Sequence, residues 1–469
     1  MSNIKDFDVL ILGGGPGGYA AALNAAAGNL KVGLIEKEKV GGTCLHRGCI
    51  PAKELLETSS LFNKLSELKD FGINVNEVSF DYSQSHDRKS SVVDQLYKGL
   101  SGLLKGRKIE IIAGNGFVEK DGTITVTSQD SSKSQYKGRS TILAMGSSPK
   151  TLPGFTVDGL HIMTSDEILE YRKIPESVTV IGGGAIGCEF ASLFSDLGSK
   201  VTILEVLPNL LNGCDSDVVT TLIRSFKKKN IAVMTGVTIV DQEIKDNNTV
   251  VKLADGTQVD SEIIILSVGR MPNTKDVIDP ASGIDIDSKG YLIVDEFMRT
   301  SRENVYAIGD VVNTPQLAHI GFSEALVAVS KILGENPLPI DYSKVPWCIY
   351  SHPEVAFVGM TEAAAKEAGI EVAVKKDPYA GNSRAKIIGE TDGMVKVIAR
   401  RNPDGTLGEV LGVHMVGPWV TEQLGAGYFA VNWGAQVNDI MKLIQPHPTI
   451  SESFGETVIA LSGRGLHVV

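Results

Sequence analysis

The sequence predicts an α/β protein built around two copies of one strand–turn–helix–strand unit. Residues 7–36 and residues 178–205 follow the same plan, and each copy is followed by a stretch of alternating apolar and polar residues, roughly 109–143 and 231–266. The length of 469 residues also exceeds what one compact core accommodates. We therefore expect several domains, two of them Rossmann-like.

Composition and charge are those of an acidic, non-membrane protein. The formal net charge of −11 argues against nucleic acid or an anionic membrane as a partner. No apolar run reaches the roughly 18–20 residues of a membrane helix, and residues 1–6 show no signal-peptide pattern. We expect a cytoplasmic protein, although a processed protein of the mitochondrial matrix would have the same features.

Each copy begins with an apolar strand that runs into a glycine-rich turn and a helix. In such a turn the first glycine makes the tight bend, the second lets the backbone approach a pyrophosphate, and the third allows close packing of helix on strand. In this order the glycines are Gly13, Gly15 and Gly18 in the first copy and Gly182, Gly184 and Gly187 in the second. The alternative, a mere packing device, is disfavoured because two complete copies occur on one chain.

Both copies end their second strand with a glutamate, Glu36 and Glu205, placed 23 residues after the first glycine. A carboxylate at this point accepts hydrogen bonds from ribose hydroxyls. Glu205 is followed by the run Val206-Leu207-Pro208, which has no Arg or Lys to receive a 2′-phosphate. The second copy is therefore expected to bind NAD in preference to NADP.

The copies also close alike, with an apolar strand and a turn that contains Gly146 in the first copy and Gly269 in the second. From the first glycine to this later one is 133 residues in the first copy and 87 in the second. The extra 46 residues all follow Glu36 and include helical stretches near 53–69 and 87–105. They also contain two cysteines five positions apart.

These cysteines, Cys44 and Cys49, follow a nucleotide-binding unit almost directly, so they are expected beside a bound cofactor, where a dithiol can exchange two electrons. Two ordinary buried thiols are the alternative. On a regular helix positions i and i+5 are about 140° apart, too far for a disulfide. Gly48 and Pro51 therefore predict a distorted helix start that brings the sulfurs together. Cys188, Cys214 and Cys348 are expected to be buried thiols, and no Cys/His spacing indicates a metal site.

A flavin is the expected cofactor of the first copy, because a flavin passes electrons between a nicotinamide and a dithiol. The run 305–310 reads as a strand ending in Gly309-Asp310, followed by a helix over 318–333. Asp310 is suited to hold the sugar-alcohol chain of FAD, and the alternative is a strand-end Asp that caps a turn. The expected cofactors are therefore FAD and NAD.

Near the C-terminus, the run His447-Pro448-Thr449-Ile450-Ser451-Glu452 offers an acid–base pair. Thiol chemistry requires a base that works near neutral pH, and a carboxylate partner fixes the tautomer of a histidine. Thr449 and Glu452 also fit a capping box at the start of a helix over 449–461. The residues alone leave both readings open.

Taken together, these motifs resemble the FAD-dependent pyridine nucleotide–disulfide oxidoreductases. The resemblance spans essentially the whole chain and rests on the runs 41–53, 349–356 and 447–452, the paired turns and the Gly309-Asp310 strand. It implies two Rossmann-like domains, for FAD and NAD, and a C-terminal α+β dimerisation domain. The implied division is an FAD domain over 1–150, an NAD domain over 151–275, a central segment over 276–346 that completes the FAD site, and the dimerisation domain over 347–469.

The resemblance also implies roles for single residues. Cys44 would be the interchange thiol that meets the substrate, and Cys49 the charge-transfer thiol that lies against the flavin. His447, oriented by Glu452, would be the acid–base group that one subunit of a homodimer supplies to the other. Two more residues match positions that the family places near the reactive edge of the flavin, Lys53 and Glu189.

Within the family, the chain looks most like members that oxidise protein-bound dihydrolipoamide with reduction of NAD. The implied partner is the lipoyl-bearing domain of a 2-oxo acid dehydrogenase or glycine-cleavage complex. A glutathione-type reductase is a rival, although such enzymes generally use NADPH, which Glu205 disfavours. A mainly structural flavin-containing subunit is another. Two positions depart from the family pattern: Met145 replaces a threonine, and Gln445 stands where many relatives have a second histidine.

Overall fold

The computed structural model describes residues 4–245 and 248–468, so the outer ends of the first and last predicted domains lie outside the described residues. The first part of the chain forms one sheet with helices. Its elements are β1 (Lys5–Leu12), α1 (Pro16–Ala27), β2 (Val32–Glu36), α2 (Gly42–Arg47), α3 (Cys49–Lys64), α4 (Tyr82–Gly106), β3 (Glu110–Ala113), β4 (Asn115–Val118), β5 (Ile124–Thr127), β6 (Lys133–Leu143) and β7 (Ser147–Pro149). The strand order is β3–β2–β1–β6–β5–β4, parallel from β3 to β6 and antiparallel beyond.

A second sheet follows. Its region contains β8 (Ile162–Met163), α5 (Ser165–Ile168), β9 (Ser177–Ile181), α6 (Ala185–Asp196), β10 (Lys200–Glu205), α7 (Ser216–Lys228), β11 (Ala232–Thr235), β12 (Ile239–Lys245), β13 (Asn248–Leu253), β14 (Gln258–Ser261), β15 (Ile263–Leu266) and β16 (Arg270–Pro272). The parallel order β11–β10–β9–β15 repeats the order β3–β2–β1–β6 of the first sheet, with β8 added at the edge. The internal repeat predicted from the sequence is therefore present in the topology.

The closing turns of the two copies pair with each other, because β7 and β16 form a two-stranded antiparallel sheet. Beside it, the Asn273 side chain donates a hydrogen bond to the Met145 carbonyl at 3.0 Å. The turn in which Met145 replaces a threonine is thus held through its backbone. The chain then returns to the first sheet through β17 (Val305–Ala307), which lies parallel to β6, and continues into α8 (Ala318–Ile332).

The C-terminal part is an antiparallel sheet covered by helices, and the predicted fold class is confirmed. Its elements are β18 (Trp347–Ile349), β19 (Glu354–Gly359), α9 (Glu362–Glu367), β20 (Val372–Pro378), α10 (Ser383–Ile388), β21 (Met394–Arg401), β22 (Leu407–Gly417), α11 (Val420–Trp433), α12 (Val437–Ile440) and α13 (Glu452–Leu461). The strand order is β18–β19–β22–β21–β20. Side chains from this sheet, α11 and α13 share one apolar core. The exact domain boundaries stay a prediction.

Some helix bounds differ from those expected. α3 begins at Cys49 and ends at Lys64, before the predicted limit at 69. α4 begins earlier than expected, because the Asp81 carboxylate caps it by accepting a hydrogen bond from the Gln84 amide at 3.1 Å. α13 begins at Glu452 and not at 449. No helix in the described ranges is long and apolar enough to cross a membrane.

Candidate active site

The cysteine pair lies where the first helical stretch breaks. α2 ends before Gly48, whose backbone angles of φ −147° and ψ −110° interrupt the helix, and α3 starts at Cys49. A side chain at Gly48 would be crowded, because its Cβ would lie 3.1 Å from the Thr43 carbonyl oxygen. The break brings the Cα atoms of Cys44 and Cys49 to 4.7 Å, and the two sulfurs form a disulfide. The predicted irregularity is confirmed, and two unconnected thiols are excluded.

A single continuous cavity of about 1700 Å³ joins the disulfide to the glycine turns of both copies. Most of the predicted site residues line it: Gly13, Gly15, Glu36, Cys44, Cys49, Lys53, Gly146, Gly182, Gly184, Glu189, Glu205, Gly269, Gly309 and Asp310. Gly18 and Gly187 lie behind the turns. His447 and Glu452 are not part of this lining.

The glycines of each turn have two different surroundings. A Cβ on Gly18 would lie 1.8 Å from the Gly13 carbonyl oxygen, and the corresponding distance from Gly187 to Gly182 is 1.9 Å. The third glycine is thus required for packing. By contrast, a Cβ on Gly184 would meet nothing within 4 Å and would project into the cavity. The turns leave open the space that a dinucleotide pyrophosphate needs, at the N-termini of α1 and α6.

Backbone amides hold both strand-end glutamates at the cavity wall. Glu36 accepts hydrogen bonds from the Gly14 amide at 2.7 Å and the Glu38 amide at 2.8 Å. Glu205 is held in the same way, by the Gly183 amide at 2.6 Å and the Leu207 amide at 2.8 Å. Each carboxylate oxygen keeps a lone pair for a ribose hydroxyl. The residues present therefore fit a dinucleotide in each copy.

Lys53 and Glu189 form an ion pair beside the disulfide. The Lys53 ammonium lies 2.8 and 2.9 Å from the two Glu189 oxygens and 5.0 Å from the centre of the Tyr350 ring. The Tyr350 amide also donates to Glu189, at 2.9 Å. Glu189 lies on α6 and Lys53 on α3, so this pair connects the two copies to the C-terminal part next to the redox helix.

Around Asp310 lie two residues, Ser147 and Arg270, whose part in this site is not evident from the sequence. Ser147 donates to the Asp310 carboxylate at 2.5 Å, and the Arg270 side chain donates to Ser147 at 2.7 Å. Desolvation by burial lowers the pKa of Arg270, and the Asp310 carboxylate opposes this shift. Arg270 lies in the second closing turn, so the pairing of the turns brings it to the first copy. The one feature of the sequence that could have indicated Arg270 is its position in the repeated turn, directly after Gly269.

Glu324 on α8 is a third such residue. Its fully buried carboxylate accepts hydrogen bonds from the Gly309 amide at 2.5 Å, the Thr314 hydroxyl at 2.8 Å and the Tyr342 hydroxyl at 2.9 Å. Burial raises the pKa of this carboxyl, although the three donors oppose the shift. Glu324 thus fixes the turn that presents Asp310. Its neighbours along the helix gave no sign of this contact.

The three remaining cysteines are poor nucleophiles. Burial raises the pKa of Cys348 to about 11 and the pKa of Cys214 to about 12, and it raises the pKa of Cys188 further. Thiols of this kind stay protonated near neutral pH, and only the thiolate is reactive. The expectation that all three are buried holds for Cys188, whereas Cys214 and Cys348 are only partly buried. The reason for Cys348 is that it lines the cavity.

The histidine–carboxylate pair predicted at the C-terminus is formed. Nδ1 of His447 lies 2.9 Å from the Glu452 carboxylate, and the acceptor is a carboxylate, so Nδ1–H donates. Glu452 is buried, whereas His447 is 58% exposed. The Glu452 amide donates to the Thr449 hydroxyl at 3.1 Å, so half of a capping box is present. Its carboxylate turns to His447, which makes the pair the main contact of this side chain.

Comparison with known proteins agrees with this geometry. Two family models match the chain: Pyridine nucleotide-disulphide oxidoreductase over residues 7–325, and the dimerisation domain of the same family over residues 345–458. The chain belongs to this family. FAD and NAD are the cofactors of the family and of its dihydrolipoyl dehydrogenases.

Individual relatives match over nearly the whole length. The dihydrolipoyl dehydrogenase of Bacillus subtilis is 38% identical and covers 98% of this chain and 99% of its own. Dihydrolipoyl dehydrogenase 2, mitochondrial, of Arabidopsis thaliana is 36% identical over 100% of this chain and 92% of its own. Among solved structures, LpdA of Mycobacterium tuberculosis superposes with a TM-score of 0.91 at 26% identity, covering 98% of this chain and 100% of its own.

Proposed function

We propose that the chain is a homodimeric enzyme that oxidises protein-bound dihydrolipoamide and reduces NAD through the Cys44–Cys49 disulfide and FAD. The observation that carries this proposal is a disulfide that opens on one cavity together with two glycine–glutamate nucleotide sites. FAD belongs in the first copy, next to the disulfide and Asp310. NAD belongs in the second, where Glu205 disfavours a 2′-phosphate.

The sulfur chemistry is a thiol–disulfide exchange in two steps. A substrate thiolate attacks Cys44, so a mixed disulfide forms and Cys49 leaves as a thiolate. The second substrate thiolate attacks the substrate sulfur of that bond, which closes lipoamide and releases Cys44. Two electrons now reside on the cysteine pair. Bound FAD and NAD supply the route by which these electrons leave and the disulfide is restored.

His447 is the proton acceptor in this scheme. Its Nδ1–H is held by Glu452, so Nε2 is free to take the proton from the substrate thiol that attacks Cys44 in the first step. Because His447 does not line the cavity of its own chain, we assign it to the cavity of the second subunit. The Lys53–Glu189 pair lies beside Cys49, and the ion pair holds the Lys53 ammonium in place there.

The partner in this proposal is a lipoyl-bearing domain of a 2-oxo acid dehydrogenase or glycine-cleavage complex, in the cytoplasm or the mitochondrial matrix. Full-length similarity to dihydrolipoyl dehydrogenases supports this substrate over glutathione. The matched dimerisation domain supports two copies of the chain in the active unit.

The test is an anaerobic thiol count on the denatured holoenzyme together with lipoamide turnover. The chain has five cysteines, of which three are free, so NADH is expected to raise the count from three to five, and NADPH is not. Cys44→Ser removes lipoamide turnover, whereas Cys214→Ser, at a partly buried position against the core of the second copy, retains it. A count unchanged by NADH, or glutathione reduction by NADPH, contradicts the proposal.

A further inference from the structure

The chain reverses direction directly after α13. Gly463 adopts a positive φ of 75°, and a Cβ on Gly465 would lie 2.3 Å from the Val468 carbonyl oxygen and 2.9 Å from the Ala460 Cβ. Val468 is buried. Residues 464–468 therefore pack back along the helix in a turn that only glycine at 465 permits.

This turn places a second histidine beside the first. The ring centres of His467 and His447 are 6.3 Å apart and their planes are inclined by only 17°. Such a separation lies within the range in which aromatic rings attract one another. His467 is 63% exposed, so the arrangement does not result from burial of its ring in a core.

His467 also has a carboxylate partner of its own. Its Nδ1 lies 3.6 Å from the Glu456 carboxylate, and the Leu466 amide donates to the same oxygen at 3.3 Å. Glu456 follows Glu452 by one helical turn on α13, and both side chains are buried. The helix thus presents two parallel histidine–carboxylate pairs.

Asp377 on β20 is a further ionisable group that faces these two histidine–carboxylate pairs. It interacts electrostatically with Glu452, Glu456 and His467. The His447 ring can turn about its Cβ–Cγ bond, and such a turn carries Nδ1 away from Glu452, so the single hydrogen bond at Nδ1 has to resist it. In the described part of the chain, the ring that packs against it is that of His467.

We propose that His467 is a positioning residue for His447. Its ring face keeps the His447 imidazole in the orientation in which Nδ1 bonds Glu452 and Nε2 is available as the base. This inference rests on the proposed function, because that proposal gives His447 its role. Many relatives have a second histidine at the position of Gln445, two residues before His447. In this chain the C-terminal turn brings a second histidine, His467, to His447 instead.

Three variants of the holoenzyme test this. His467→Ala removes the ring, His467→Phe keeps a flat ring without a titratable group, and His161→Ala is the control. His161 is also a histidine paired with a carboxylate through Nδ1, at 3.2 Å from Asp158, far along the chain from this site. The readouts are the tautomer of His447, from NMR of the resting protein labelled with ¹⁵N-histidine, and the kcat and KM for lipoamide and NAD.

We expect the parent, His467→Phe and His161→Ala proteins to keep the His447 proton on Nδ1. His467→Ala is expected to show mixed tautomers and a kcat for lipoamide lowered about threefold to tenfold, with the KM for NAD unchanged. An unchanged tautomer and kcat in His467→Ala overturns the inference, as does a His467→Phe variant as impaired as His467→Ala. If the parent turns over no lipoamide while the tautomer still responds, the proposed function fails and the positioning stands.

Discussion

At the scale of single residues, the site depends on backbone amides as much as on side chains. Glu36 and Glu205 each receive two amide hydrogen bonds, and Glu324 receives one from Gly309. The Gly14, Gly183 and Gly309 amides come from the turns themselves, so each turn helps to orient the carboxylate beside it. The second amide on Glu36 and on Glu205 belongs to the residue two positions further along the chain. Sequence spacing predicted Glu36 and Glu205, because the motif fixes their distance from the first glycine. Glu324 contacts its turn only through the fold, so no local pattern revealed it.

Asp377 gives a prediction for the pH dependence of stability. Burial raises the pKa of its carboxyl from 3.8 to about 6. The folded protein therefore binds this proton more tightly than the unfolded chain. The contribution of Asp377 to stability is lost as the pH rises from 3.8 to about 6, and it does not change at higher pH. Asp377→Asn removes the effect, so its free energy of unfolding relative to the parent, measured by denaturant unfolding, is expected to rise between roughly pH 4 and pH 6, by on the order of 1–3 kcal/mol. A difference that does not vary with pH contradicts this.

At the scale of elements, two short features join parts that are distant in sequence. The break at Gly48 separates α2 from α3 and closes the disulfide. The β7–β16 ribbon joins the closing turns of the two copies and brings Arg270 to Ser147. The sequence predicted the break, because a disulfide between i and i+5 excludes a regular helix. The ribbon is not predictable in this way, because the pairing partner of each turn lies in the other copy.

A buried ion cluster between β21 and α7 predicts how the C-terminal sheet is attached. The Lys396 ammonium lies 2.9 Å from Asp215, 2.7 Å from Asp217 and 2.7 Å from Glu362, and Lys396 and Asp215 are each 1% exposed. Lys396→Met leaves Asp215 buried without its cation, which is expected to cost about 3–5 kcal/mol of unfolding free energy.

The control is Lys376→Met, since Lys376 pairs with the same Asp217 but is half exposed. We expect this change to cost about 1 kcal/mol or less. Denaturant unfolding of the two holoenzyme variants measures both values, and equal losses would show that the buried cluster does not attach the sheet.

At the scale of the whole molecule, one chain does not bring its predicted catalytic residues together. Cys44 and Cys49 line the cavity, whereas His447 lies in the C-terminal part and is outside the lining. Large apolar side chains are exposed in the same part of the chain: Ile444, three residues before His447, is 97% exposed, and Trp433, stacked on Phe429 of α11, is 78% exposed. Exposed aliphatic and aromatic side chains of this kind mark interaction surfaces. Together with the matched dimerisation domain, they support a second subunit that binds the C-terminal part.

Most of the architecture was accessible from the sequence, because the internal repeat fixes two sheets of the same strand order. The location of His447 relative to the disulfide was not accessible from spacing, since more than 390 residues separate Cys49 from His447. The contact between His467 and His447 could not be predicted from the sequence for a different reason. It depends on a reversal at Gly463 and Gly465, and a short glycine-containing tail does not reveal which way it folds.

Hybrid dimers test the central claim most directly. Cys44→Ser and His447→Gln homodimers are each expected to lack lipoamide turnover. If His447 serves the cavity of the other subunit, a hybrid of the two carries one intact site, so random exchange of subunits is expected to restore about a quarter of the parent activity. A mixture that exchanges subunits but stays as inactive as the two variants contradicts the account.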